Sequence, residues 1–209
     1  PDKTDRILGN QTQCLWGKNK IKEKIGTLVL DIDCDSFFQL NPHQTEILYR
    51  TIIDLSSIST QDTVLDAYCG VGSIALFIAS ISKKVIGVDC VENAIKNAKN
   101  NAQINHIKNA HFICGFAEDI IESHSQKDPQ NKPDIVILDP PRKGCDPGLI
   151  STLTQLQPRE IIYVSCNPIT LSRDLSYLTK KYYKIKFIQG IDMFPHTHHI
   201  ETIAILTKI

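Results

Sequence analysis

Neither sign of charge is in surplus: 23 Lys and Arg balance 23 Asp and Glu. A neutral chain casts no long-range field toward nucleic acid, so any such contact has to be a local patch. The seven cysteines, Cys14, Cys34, Cys69, Cys90, Cys114, Cys145 and Cys166, are odd in number and contain no CxxC pair. That argues against a disulfide framework and against a zinc ribbon, and a reducing cytoplasm is the compartment that fits. No apolar run approaches the roughly 20 residues of a membrane span, and the start lacks the apolar core of a signal peptide. Repeats and low-complexity tracts are missing too. The first residue is Pro1 rather than Met, so a fragment without its natural N-terminus is expected. What remains is an ordinary globular composition, 42% hydrophobic over 209 residues, ample for one large core.

Residues 1–40 are mixed, with strand-like content from Gly26 to Ile32, and they lack a core of their own. Asn41-Pro42 suits an N-cap followed by proline in the first helical turn, predicting a helix to about Ser56. Five strand-like stretches then alternate with helical ones: Thr63–Tyr68, Lys84–Val88, His111–Cys114, Asp134–Leu138 and Glu160–Val164. The helices between them are expected from Ser73 to Ala79, Val91 to Gln103 and Pro147 to Leu156, while Ser123–Pro133 reads as a polar surface loop. Tyr182–Ile191 and Glu201–Thr207 close the chain with no helix between them. This pattern predicts an α/β fold with a seven-stranded, mostly parallel sheet and an antiparallel edge strand.

Ligands of such sheets sit outside the carboxyl ends of the strands. Four chemically loaded segments fall there: Asp66 to Ser73, Asp89, Asp139 to Arg142 and Ser165 to Pro168. Gly70-x-Gly72 permits close approach of a ligand to the backbone, and Asp89 ends the next strand about 20 residues on, the spacing that suits a ribose hydroxyl. Gly70-x-Gly72-x-x-Ala75 also nearly fits the dinucleotide fingerprint, so a nicotinamide enzyme stays open at this point. Cys166 follows the last parallel strand and precedes a helix that Asn167 can cap and Pro168 can begin, which makes it a candidate nucleophile. The positive end of a helix dipole favours thiolate; lowering a thiol from about 8.5 to about 7 leaves roughly half of it ionised. His196, His198 and His199 cluster near the end without a separate carboxylate or cysteine motif, so no metal site is expected. In an extended chain His199 and Glu201 would share one face. The run from Lys180 to Lys184 interleaves lysine with Tyr182 and Tyr183, which suits an RNA patch and a solvated surface equally.

Phe37-x-Gln39, DAYCGVGS at Asp66 to Ser73, DPPRKG at Asp139 to Gly144, SCNP at Ser165 to Pro168 and HTHHIE at His196 to Glu201 stand in that order. Together they resemble the RNA 5-methyluridine (uracil-5-) methyltransferase family, from about Ser36 to the end. The resemblance implies a Rossmann-like class I S-adenosylmethionine-dependent methyltransferase domain over residues 41–209. Residues 1–40 would be the remnant of a preceding central domain and a connecting strand. Relatives of that family carry N-terminal modules, often an RNA-binding domain and an iron-sulfur cluster held by cysteines, which lie outside this sequence. The implied partner is RNA, ribosomal in preference to transfer RNA, acted on by a monomer with no membrane involvement.

By the same resemblance Cys166 attacks carbon 6 of uracil, carbon 5 takes the methyl group, and Glu201, ionised at neutral pH at its ordinary pKa, removes the carbon 5 proton. Gln39, Tyr68, Gly70, Gly72, Ser73, Asp89 and Asp139 would serve the cofactor. Phe37, Gln39 and Arg142 would serve the substrate. Ser73 and Phe116 depart from the residues usual in relatives. Two rival readings remain: RNA cytosine-5 methylation, whose family places its cysteine in the fourth-strand motif where this chain has none before Cys145, and a cofactor-binding domain active only within a larger protein.

Overall fold

The computed structural model describes residues 13, 15–33, 36–127 and 132–209; Cys14 and Cys34 lie outside them. A hairpin of β1 (Lys20–Ile25) and β2 (Leu28–Asp33) precedes α1 (Pro42–Leu55). Then come β3 (Thr63–Ala67), α2 (Ser73–Ile78), β4 (Lys84–Asp89), α3 (Glu92–Ile104), β5 (Ala110–Cys114), α4 (Ala117–Lys127), β6 (Ile135–Leu138) and α5 (Pro147–Leu156). The chain finishes with β7 (Glu160–Ser165), α6 (Pro168–Leu178), β8 (Tyr183–Ile191) and β9 (Glu201–Lys208). Seven strands form one sheet in the order β5-β4-β3-β6-β7-β9-β8. All neighbours are parallel except β9, which runs against both β7 and β8. The reversed strand is thus one in from the edge that β8 occupies.

Alternation along each strand divides the core. Val64, Val85, Ile135, Ile137, Ile162, Val164, Ile203 and Ile205 face α1, α2, α3 and the hairpin. Leu65, Ile86, Val136, Leu138, Tyr163, Ala204 and Leu206 face α4, α5 and α6. Strands apolar on both sides read as continuous runs because each face is covered by helices. The order of strands reverses at β3, so the crevice between the ends of β3 and β6 is the topological switch point.

Two expectations are corrected. The helix α4 runs into the stretch read as loop from Ser123, because only Ala117, Ile120 and Ile121 give it an apolar side and the rest of its sequence is polar. The strand β1 escaped notice because KIKEKI alternates charge with single isoleucines and only Ile25 is buried.

The hairpin shares the main core through Ile25, Leu30 and Ile32, and a ladder of asparagines on α3 fastens it. Asn105 Oδ1 accepts from Val29 N at 2.9 Å while its Nδ2 donates to Val29 O at 2.7 Å. One turn earlier, Asn101 Oδ1 accepts from Asp31 N at 2.8 Å and Nδ2 donates to Asp31 O at 3.2 Å. Four helical residues rise about 6 Å and two strand residues about 6.7 Å, so amides at i and i+4 meet alternate residues of an edge strand.

Beneath the first loop, Phe112 packs where two glycines leave room. A Cβ on Gly87 would lie 2.5 Å from its ring, and one on Gly72 2.9 Å away. We predict that Gly87→Ala lowers stability by about 1–3 kcal/mol in urea unfolding, with partial recovery in Gly87→Ala/Phe112→Leu. A neutral Gly87→Ala would contradict this packing.

Candidate active site

At the strand ends, β3 hands over to Tyr68-Cys69-Gly70-Val71-Gly72, in which Tyr68, Gly70 and Gly72 have φ of 68°, 54° and 83°. Asp89, at the end of β4, accepts from Gly70 N at 2.9 Å and from Val91 N at 2.8 Å. Its carboxylate therefore holds the loop. Ser73 opens α2 and shares a 2.7 Å hydrogen bond with the Tyr49 hydroxyl. Phe37, Gln39, Tyr68, Gly70, Ser73 and Asp139 border one cleft. Phe37 stands at its lip, 78% exposed. Phe116, after β5, is exposed, and Gly115 N before it donates to Asp89 O.

The second half of the site is set by strand pairing. The last pair between β7 and β9 is Ser165 with Thr202, so the next residues outward, Cys166 and Glu201, face one another. Asn167 caps α6, its side chain accepting from Ile169 N at 3.1 Å, with Pro168 in the first turn. Asn167 Nδ2 also donates to Arg142 O at 3.0 Å, and Thr170 Oγ1 donates to the same oxygen at 3.2 Å. The loop after β6 is thereby strapped to the helix that follows the cysteine. Asp174 tightens the strap. It is buried and accepts from Cys145 N, from the Tyr163 hydroxyl and from Arg173 Nε.

The electrostatics overturn one expectation and revise another. The Cys166 thiol is pushed up, not down: burial contributes most, the carboxylates of Glu201 and Asp139 add to it, and Arg142 opposes them. A helix start does not outweigh a desolvated site with two acids. Glu201, expected ionised at neutral pH, is raised by burial to about 7, with Arg142 opposing. Asp139 also reaches about 7, from burial and then the charge of Glu201. The buried Glu201 Oε2 has no hydrogen-bond partner among the described residues. Cys145, the rival cysteine, is buried against Tyr163 and Tyr68, and burial pushes its thiol up to about 12.

Two residues of the cleft, Asp66 and Tyr49, were given no role by the sequence. Asp66 is fully buried; its Oδ2 accepts from Ala75 N at 3.0 Å while Oδ1 has no partner among the described residues. Burial and then the charge of Asp139 raise it well above the ordinary carboxylate value. It stands inside DAYCGVGS, so an acid within an apolar strand was the available signal. Tyr49, buried on α1, also borders the cleft, and nothing in its helical stripe marks it out.

The terminal histidines do not continue the strand. The chain turns at Phe194–Thr197, His196 has φ of 68°, and β9 begins only at Glu201. His199 consequently packs edge-on to Phe194 and beside His198. Among the described residues no group of three His, Cys, Asp or Glu is arranged to hold a metal ion. The run Lys180 to Lys184 leads into the start of β8, beside Lys208 at the end of β9 and hence at the sheet edge away from Glu201. No helix among the described residues is long and apolar enough to cross a membrane.

Comparison with known proteins agrees with this arrangement. The family model described as tRNA (Uracil-5-)-methyltransferase matches residues 18–209. A protein of Enterococcus faecalis described as an uncharacterized RNA methyltransferase is 44% identical over 208 residues, covering 100% of this chain and 45% of that protein. Another from Oceanobacillus iheyensis is 45% identical over 205 residues, 98% of this chain and 44% of that protein. The chain thus spans somewhat under half the length of these relatives. Among solved structures, the Pyrococcus abyssi tRNA (uracil-54, C5)-methyltransferase in complex with S-adenosyl-L-homocysteine superposes with a TM-score of 0.80 at 35% identity, over 99% of this chain and 49% of that one. An M. jannaschii tRNA m1G37 methyltransferase, at 15% identity and a TM-score of 0.65 over 92% of this chain and 58% of that one, shares the fold. By motif order, sheet topology and the match over residues 18–209, the chain belongs to the tRNA (uracil-5-)-methyltransferase family.

Proposed function

We propose that the chain is the catalytic part of a monomeric, cytoplasmic enzyme that transfers a methyl group from S-adenosylmethionine to carbon 5 of a uridine in RNA. The observation that carries this reading is the pairing of Cys166 with Glu201 one step beyond the last β7–β9 contact, beside a cleft at the switch point of the sheet.

The cleft fits a cationic cofactor. Asp66 presents a buried oxygen without a partner, and burial holds both Asp66 and Asp139 above the usual carboxylate range. Among the described residues no cation acts on these two acids, and a sulfonium and an ammonium group would supply the counter-charge. Gly70 leaves open space where a side chain would otherwise sit. Asp66, Gly70, Ser73, Gln39 and Asp139 would hold the cofactor, with Tyr68 alongside and Gly72 and Asp89 shaping the loop. When bound, it supplies an electrophilic methyl group.

Carbon 5 of uracil is a weak nucleophile, so electron density has to be placed there first. Uracil within a helix hides carbon 6, so the base is flipped out at a cost of a few kcal/mol, with Phe37 and Gln39 at the mouth to receive it. The Cys166 thiol gives its proton to solvent, favoured by the Arg142 cation, and the thiolate adds to carbon 6. The electron pair of the 5,6 double bond moves into the enolate, and carbon 5 would then take the methyl group as the methyl–sulfonium bond breaks, its electron pair leaving with the sulfur as a neutral thioether. Glu201 removes the carbon 5 proton, the carbon–sulfur bond breaks, and the double bond returns with release of thiolate. A carboxylate near 7 is a stronger base than an ordinary one, while about half of it is still ionised at neutral pH. Ribosomal and transfer RNA present the same uracil edge to this site, so the test uses both.

Incubation with S-adenosylmethionine and unmodified RNA of either kind, followed by nucleoside mass spectrometry, is expected to yield 5-methyluridine; 5-methylcytidine in its place would overturn the reading. In Glu201→Gln we expect methylated RNA to stay bound to the protein, with turnover reduced about 10²–10⁴-fold; wild-type turnover would remove Glu201 from the role of base. Asp139 at about 7 gives a sign for cofactor binding. Binding favours its carboxylate, so affinity for S-adenosylmethionine should strengthen as pH rises toward 7 and level off above it. Calorimetry on Asp139→Asn should show a shallower slope, and an unchanged slope would contradict the assignment.

A further inference from the structure

Asn101 does more than fasten the hairpin. Its side-chain nitrogen donates to Asp31 O at 3.2 Å and also to Val71 O at 3.2 Å, inside the Gly70-Val71-Gly72 loop. We propose that Asn101 is a positioning residue for the cofactor site, setting the loop from the α3 side as Asp89 sets it from the β4 side. The inference rests on the reading of the cleft as a cofactor site.

The loop has need of outside partners. Left-handed residues at Tyr68, Gly70 and Gly72 prevent any regular ladder, yet buried peptide groups still require hydrogen bonds. Cys69 N donates to Val88 O and Gly72 N to Cys69 O. Gly70 N is held by Asp89, and Val71 O is held by Asn101. Val71 and Asn101 are almost wholly buried, where a lost partner is costly and competing water is scarce. Packing works alongside: a Cβ on Gly72 would meet the Ala98 methyl at 3.0 Å, and Ala98 precedes Asn101 by one turn on the same helix.

Only an amide satisfies all three contacts. Asp31 N–H takes the carbonyl oxygen of Asn101 at 2.8 Å, which fixes the rotamer and leaves both amide hydrogens for Asp31 O and Val71 O. An aspartate there would turn lone pairs toward two carbonyls. The hairpin thereby orients the group that orients the loop. Asn105 makes the same pair of hydrogen bonds to Val29, and its other amide hydrogen goes to Asn101 O within the helix at 2.7 Å rather than to Val71 O, which makes it the control for the side chain of Asn101.

The experiment is calorimetric titration of the 209-residue chain with S-adenosylhomocysteine, alongside thermal melts, for wild type, Asn101→Ala, Asn101→Asp and Asn105→Ala. All variants should lose thermal stability. Asn101→Ala and Asn101→Asp should bind about tenfold more weakly or worse, equivalent to about 1.4 kcal/mol, whereas Asn105→Ala should stay within about twofold of wild type by the same conversion. Near-wild-type affinity in Asn101→Asp would overturn the proposal. So would equal weakening in Asn105→Ala, since that would trace the effect to hairpin loss alone. Failure of the wild type to bind would instead overturn the cofactor reading, and the positioning role with it.

Discussion

Everything chemical in this molecule depends on one antiparallel pairing, that of β7 with β9. The parallel strands all deliver their carboxyl ends to one edge of the sheet, so loops from β3, β4, β6 and β7 meet there. A strand start can join them only if its strand runs the other way. β9 does so, and its register, Ser165 with Thr202, brings Glu201 opposite Cys166. Both faces of β9 are apolar and covered, so burial alone sets its register weakly. The return segment adds definition: Asn41, which caps α1, donates to Met193 O at 3.0 Å, and Met193 is fully buried.

The site is built at a cost to the fold. Asp66, Asp139 and Glu201 are buried or half-buried near one another, and Arg142 is the cation that acts on Glu201 and Cys166. Raised carboxylates favour the folded state fully only below their ordinary values near 4; that contribution is lost as pH rises through about 7 for Asp139 and Glu201. The same desolvation strengthens Glu201 as a base and leaves Asp66 and Asp139 in want of a cation. The stability that these buried acids withhold from the fold would be returned by a bound cation.

Much of this was legible in the sequence because each signal had a local cause. Asn41-Pro42 and Asn167-Pro168 cap and open helices by their own side-chain chemistry, and unbroken apolar runs marked strands covered on both faces. What stayed hidden was non-local. The acidity of Cys166 could not be read from its place before a helix, since burial in the folded site raises it most and the carboxylates of Glu201 and Asp139, brought there by β9 and the end of β6, add to it. Asn97, Asn101 and Asn105 recur every fourth residue, yet a polar stripe on a helix ordinarily means solvent, and only the packed hairpin gives it another meaning. Asp89 stands where a ribose-binding acid was expected, but its partners at Gly70 and Val91 make it also a brace for the loop.

The claim that Cys166 and Glu201 serve one base is tested most directly by trapping the covalent state. RNA carrying 5-fluorouridine cannot lose fluorine as it loses a proton, so with S-adenosylmethionine the adduct should persist. The account predicts a denaturant-stable protein–RNA species whose peptide cross-link maps to Cys166 and which is lost in Cys166→Ala. A cross-link at any other residue, or an undiminished adduct in Cys166→Ala, would contradict it.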